Sequence, residues 1–307
     1  MDLDRRAMMG VAPWMLAGSA AMAAAPARAA ISGVWPGASV MRGGTRGYVT
    51  TPLSQVHYRV MGDGTPILLL HQTPWFSVQF AHAIPTLAKN GFRALATDRP
   101  GYGLSDAPAA PPTIDAYADD LIPVLDALGM DRPIVLGHHT GASVAAAFAV
   151  RHPDRTRALI MDGVPLYSEA ERKERLARPH WNRWLEPDGK HIADRFAARA
   201  GRKSKDGEIM GMAGVQWSVL SFFLAGETEW FGHQAAFSYD MEAAIKIIAR
   251  PTLLISHSDD VLHPSTLRAA ALRPDFKLKE FAGGSSQVIF DDPGPWAATV
   301  ADFAASV

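Results

Sequence analysis

Four short, mostly apolar runs mark the first half of the chain: Ile67-Leu68-Leu69-Leu70, Arg93-Ala94-Leu95-Ala96-Thr97, Pro133-Ile134-Val135-Leu136 and Ala158-Leu159-Ile160-Met161, each bounded by Gly, Pro, Asp or His. Apolar runs without alternation suit strands covered on both faces, as in parallel sheets. Between them the spacing becomes helical, over 117–128 with apolar Leu121, Ile122, Val124, Leu125 and Leu128, and again over 142–150. Strand and helix therefore alternate, which predicts an α/β fold with a mostly parallel, doubly wound sheet. Upstream, Gln55-Val56-His57-Tyr58-Arg59-Val60 alternates as a strand does and precedes the turn Gly62-Asp63-Gly64, a pattern consistent with a hairpin.

The rhythm breaks between about 168 and 248. That stretch carries a charged helical segment at 169–176 and the aromatic residues Trp181, Trp184, Trp217, Phe222, Phe223, Trp230 and Phe231. Taken singly, such aromatics are more often core than ligand surface; taken together they read as a helical lid. The alternation resumes with Thr252-Leu253-Leu254-Ile255, a helix near 265–272, the strand Lys277-Leu278-Lys279-Glu280-Phe281 and a final helix over 296–303. The expected organisation is a core over 30–165, a lid over 166–248 and a second part of the core over 249–307.

With 307 residues, 48% of them hydrophobic, the chain can bury a large core, so a folded domain is expected rather than disorder. Thirty Lys+Arg against thirty-one Asp+Glu leave no overall field to gather nucleic acid or an anionic membrane surface, and the expected partner is a small-molecule substrate. The absence of cysteine removes disulfides, thiolate metal sites and a thiol nucleophile. At the N-terminus, Arg5-Arg6 precedes an apolar run over 11–25, followed by Ala27-Arg28-Ala29. This resembles a twin-arginine signal with a small-x-small cleavage site, which implies export to the bacterial periplasm or beyond after cleavage near Ala29, without a membrane anchor.

Three turns in chain order carry a resemblance to a known family. His71-Gln72-Thr73-Pro74 follows a strand; Asp98-Arg99-Pro100-Gly101-Tyr102-Gly103-Leu104-Ser105 follows the next; Gly137-His138-His139-Thr140-Gly141 sits between a strand and a helix. The chain thereby resembles the lidded α/β hydrolases, with their His-Gly-x-Pro turn, their Asp-x-x-Gly-x-Gly-x-Ser loop and their nucleophile elbow. The resemblance implies the α/β-hydrolase fold with a lid after the sixth strand. It also implies an acid at Asp260, on the turn Ser256-His257-Ser258-Asp259-Asp260, with Asp162 as the alternative, and an oxyanion hole at the Thr73 and Thr140 amides.

Two positions depart from the family. His139 stands at the elbow, where Ser, Asp or Cys is usual, and Ser286 stands where the family's histidine is expected, in Gly283-Gly284-Ser285-Ser286-Gln287. A register slip of one would put Ser285 or Gln287 there instead. A helix N-terminus disfavours imidazolium, so a neutral His139 able to act as base or nucleophile is expected. Three mechanisms stay open: His139 as base for Ser286 or a water, His139 as the attacking group, and a silent pocket kept for binding. The reading favoured by the sequence is hydrolysis of a small apolar ester, lactone or related acyl compound by His139, Asp260 and Ser286, with no cofactor and no metal. A periplasmic binding protein and a lyase using the same base are the alternatives.

Overall fold

The computed structural model describes residues 43–178, 185–201, 203–204, 207–208, 211–284 and 287–307. The signal-like segment, Trp181, Trp184, Ser285 and Ser286 lie outside the described residues. In chain order the elements are β1 (Thr45–Thr50), β2 (Gln55–Met61), β3 (Thr65–Leu70), α1 (Ala83–Lys89), β4 (Phe92–Thr97), α2 (Ile114–Asp119), α3 (Leu121–Ala127), β5 (Ile134–His138), α4 (Thr140–Arg151) and β6 (Ala158–Asp162). A mainly helical insertion follows: α5 (Glu169–Leu176), α6 (Lys190–Ala200), the two-residue strands β7 (Lys203–Ser204) and β8 (Gly207–Glu208), α7 (Met212–Ala225), α8 (Phe231–Ser238) and α9 (Met241–Ile247). The chain then closes with β9 (Thr252–His257), α10 (His263–Leu272), β10 (Lys277–Phe281), α11 (Val288–Asp291) and α12 (Gly294–Ala304).

The main sheet has the order β1-β2-β4-β3-β5-β6-β9-β10. Its β1 and β2 run antiparallel and the strands from β4 onward are parallel. The unbroken apolar runs have the predicted cause. Leu68, Val135, Leu159 and Leu254 enter one core under α2, α3, α4 and α9, while Ile67, Ile134, Ile160 and Ile255 enter a second core under α1 and α12. Each strand alternates between two buried faces, so neither face needs polar residues.

Two local expectations differ from the structure. The strands on either side of Gly62-Asp63-Gly64 do not pair with each other; β2 pairs with β1 and β4, and β3 with β4 and β5. The turn only redirects the chain, and the real hairpin joins β1 to β2. The helix expected over 117–128 is two helices that meet at Asp120. Pro123 lacks an amide hydrogen and its ring crowds the carbonyl four residues earlier, while the Asp120 carboxylate takes hydrogen bonds from Thr51 Oγ1 and the Leu53 amide, at 2.8 and 2.9 Å.

Topology places the site. From β3 the chain moves to one side to form β4, then returns to the other side to form β5. The carboxyl ends of β3 and β5 therefore flank the point where the winding reverses, where open α/β sheets form a crevice. At that point α4 packs closely on the sheet: a Cβ on Gly137 would meet the Gly141 carbonyl oxygen at 2.0 Å, and one on Gly141 would meet the Leu70 carbonyl oxygen at 2.0 Å. Neither obstacle is the end of a flexible side chain, so Gly141→Ala is expected to lower stability by on the order of 3 kcal/mol. Urea unfolding of the variant measures this, and a loss below about 1 kcal/mol would contradict the close packing.

Candidate active site

The elbow is formed as its glycines require. β5 ends at His138, α4 begins at Thr140, and His139 between them has φ 49° and ψ −114°. Among the described residues it is the only non-glycine at positive φ. Such a conformation costs of order 1–3 kcal/mol and persists only where the surroundings impose it. Here the His139 amide donates to the Asp162 carbonyl at 2.9 Å, and the His139 carbonyl accepts from Ala142 at 2.7 Å. The side chain projects over Gly163, whose φ is +66°; a Cβ there would lie 2.4 Å from His139 Cδ2 and 2.7 Å from Nε2.

The acid loop meets this imidazole directly. β9 ends at His257, and the turn after it sets Asp260 with Oδ1 2.9 Å and Oδ2 3.1 Å from His139 Nε2. Asp260 Oδ1 also accepts from the Leu262 amide at 2.8 Å. The carboxylate can only accept, so Nε2 carries the shared hydrogen, and in the neutral form of the ring the lone pair is at Nδ1. Asp260 is almost fully buried while the His139 side chain keeps 16% of its surface exposed, so the histidine is the more accessible member of the pair.

His138 is fully buried, its ring lying against that of His139 with the centroids 4.2 Å apart. Gln79 Oε1 takes the Gln72 amide hydrogen at 3.0 Å, which orients the Gln79 amide nitrogen toward His138 Nδ1. Nδ1 therefore accepts and Nε2 holds the hydrogen. Burial above all, then the neighbouring His139, push the His138 imidazolium far below the ordinary range, so the ring is neutral. His138, His139 and Asp260 place one potential metal-ligating atom each within 4.8 Å of one another. In this hydrogen-bond arrangement, however, His138 presents a hydrogen rather than a lone pair at Nε2.

Asp162, the alternative acid, has other partners. Its Oδ2 accepts from Trp296 Nε1 at 2.9 Å, and its Oδ1 lies 3.7 Å from His257 Nε2, an electrostatic contact longer than a hydrogen bond. Thr73 Oγ1 accepts from Arg99 Nη2 at 2.7 Å. Among the described residues no acceptor takes the Thr73 or Thr140 amide hydrogen, so both donors are uncommitted. Ser286 falls outside the described residues. Sequence reasoning missed Gln79, Gly163 and the His257–Asp162 pair. The Asp98 loop has an architectural role: buried Asp98 accepts from His57 Nδ1 at 2.9 Å, the Ser77 amide at 2.7 Å and the Leu104 amide at 2.9 Å.

The family description "alpha/beta hydrolase fold" matches residues 65–186. Epoxide hydrolase 2 of Siraitia grosvenorii is 35% identical over 114 residues, 36% of this chain and 36% of the relative, so the match spans about a third of that relative's length. Among solved structures, an epoxide hydrolase from Vigna radiata superposes with a TM-score of 0.70 at 18% identity, over 86% of this chain and 99% of the other. A thermophilic esterase from Thermogutta terrifontis gives 0.68 at 19%, over 85% and 98%. With the sheet order and the elbow, these findings show that the chain has the α/β-hydrolase fold.

His257 supplies a pH prediction. Burial disfavours its imidazolium, but the Asp162 carboxylate, with a contribution from Asp260, outweighs burial and raises its pKa. Because an unfolded histidine titrates near about 6.5, the stabilisation is complete below that pH and fades as pH rises through the raised value. Asp162→Asn should therefore cost more stability near about pH 5.5 than near about pH 8.5. Denaturation at both values checks this, and an equal loss at both would contradict the pairing.

Proposed function

We propose that the protein is a hydrolase of small esters or lactones with a largely apolar acyl part, working through a His139–Asp260 dyad rather than an elbow nucleophile. The observation that carries this reading is the 2.9 Å contact between Asp260 Oδ1 and Nε2 of a histidine held at positive φ on the elbow. The carboxylate fixes the ring and stabilises the imidazolium that forms when Nδ1 takes a proton. The group deprotonated is a water molecule or the Ser286 hydroxyl. Its oxygen bonds to the acyl carbon while the carbonyl π electrons move onto oxygen, and the uncommitted Thr73 and Thr140 amides receive that developing charge. The tetrahedral species then breaks its bond to the alcohol oxygen, which takes back the proton held by His139. With water as the attacker the acid leaves directly; with Ser286 the acyl-serine is hydrolysed by a second, similar cycle.

The helical insertion serves as a lid in this reading. Trp217 contacts Phe76, and Val215 and Ala225 of α7 pack with Trp75, Phe76 and Phe290 beside the β3 turn. This arrangement offers an apolar roof for the acyl part. Epoxide opening by a water activated in the same way is the second reading, favoured by the identity of the matched segment to an epoxide hydrolase.

A panel of 4-nitrophenyl esters, lactones and styrene oxide tests these readings. Loss of the base in His139→Ala is expected to lower kcat/KM by about a hundredfold to ten-thousandfold, and Asp260→Asn by about a hundredfold or more. Ser286→Ala abolishes turnover if serine attacks and leaves most of it if water does. Turnover that survives loss of His139 would overturn the dyad; turnover of styrene oxide alone would select the second reading.

A further inference from the structure

We propose that Arg99 is a substrate-recognition residue, and that the compound hydrolysed carries a carboxylate close to its acyl carbon, as a monoester of a short dicarboxylic acid or an acidic lactone does. This inference rests on the hydrolase reading and narrows its substrate class to an apolar body with one anionic end.

Arg99 follows the buried Asp98 just after β4, yet it is itself only 7% exposed. Its amide donates to His71 Nε2 at 2.9 Å, and its Nη2 donates to Thr73 Oγ1 at 2.7 Å. The guanidinium carbon lies 4.8 Å from the centre of the Tyr102 ring and 5.2 Å from that of Tyr117. Stacking and one hydroxyl fix the plane of the group without neutralising it. No carboxylate among the described residues lies within ion-pair distance of Arg99, and its buried Nε has no hydrogen-bond partner. A desolvated guanidinium is costly unless an anion or ordered water completes it, and its fork geometry favours a carboxylate.

None of the described titratable groups around Arg99 pairs directly with its guanidinium. Burial, followed by the nearby Arg99, holds His71 down at about 3, and the same two causes lead in holding His233 at about 3, so both rings are neutral. Burial raises Tyr102 and keeps its hydroxyl protonated. Asp98 is committed to His57, Ser77 and Leu104, and Asp120 to Thr51 and Leu53. The Glu229 carboxylate lies 3.8 Å from His233 Nδ1 on the insertion. The Gln72 side-chain nitrogen Nε2 is also buried without a partner, which adds a second unused donor beside Thr73.

Position links this corner to the chemistry. Thr73 presents its hydroxyl to Arg99 while its backbone amide is one of the two uncommitted donors near the elbow. An anion at the guanidinium and an acyl oxygen at the Thr73 amide would share this one residue, so the proposed substrate has a short spacer. Gly232 in α8 closes over the same point: a Cβ there would meet Thr73 Oγ1 at 2.2 Å and Arg99 Nη2 at 3.0 Å.

The test compares mono-(4-nitrophenyl) glutarate with 4-nitrophenyl butyrate. The wild type should favour the acidic ester by roughly tenfold or more in kcat/KM, mainly through KM. Arg99→Met should bring the ratio of the two esters close to one, and Arg99→Lys should retain part of the preference. If butyrate is hydrolysed and glutarate is not preferred, the Arg99 proposal fails while the hydrolase reading stands. If neither ester is turned over, the hydrolase reading fails, and glutarate against glutaramide decides the rest: a rise in Tm with glutarate alone, absent in Arg99→Met, supports the anion site, and no rise overturns it. Should Arg99→Met not fold, stronger inhibition or stabilisation of the wild type by glutarate than by glutaramide supports the site, and equal effects overturn it.

Discussion

The close approach of α4 to the end of β3 is the constraint on which the site depends. With Gly141 against the Leu70 carbonyl and Gly137 against Gly141, the chain between β5 and α4 has no room for an ordinary turn. His139 is consequently held at positive φ with its ring outside the turn. The cost of that conformation is offset by the packing of α4, whose Ala142, Ala145, Ala146, Ala147 and Ala149 are all buried. Small residues let the helix sit close, and the closeness aims the imidazole.

An elbow ordinarily presents a compact attacking atom, and an imidazole is larger. Gly163 provides the space, because any side chain at that position would overlap the His139 ring. Reaching further than serine, the ring meets Asp260 without an intervening residue. Two of the three members of a relay, base and acid, thus meet directly at the elbow. The neighbouring His138 lies against this ring, and Gln79 fixes its hydrogen-bonding pattern within the core.

Much of the architecture was legible in the chain because it follows from local regularities. Apolar runs gave the parallel strands, and the glycines flanking His139 gave the elbow. Asp260 was legible because it lies on the turn that directly follows β9. What stayed hidden depends on contacts between distant parts of the chain. Gln79 and His138 are 59 residues apart, Asp162 and Trp296 are 134 apart, and neither pair has a local pattern that announces it. The same holds for Arg99, which reads as part of a loop motif until Thr73, Tyr102 and Tyr117 are seen around it. The hairpin at Gly62 was misread because turn residues show where a chain bends, not which strands pair afterward.

The central claim is that the elbow imidazole is fixed by a carboxylate, with its free lone pair at Nδ1. The most direct measurement is 15N NMR of the histidine-labelled protein in mildly alkaline solution, with the His139 signals assigned by their loss in His139→Gln. The account predicts one tautomer, protonated at Nε2 and bare at Nδ1, which becomes a mixture in Asp260→Asn. A ring protonated at Nδ1, or one indifferent to Asp260→Asn, would contradict it.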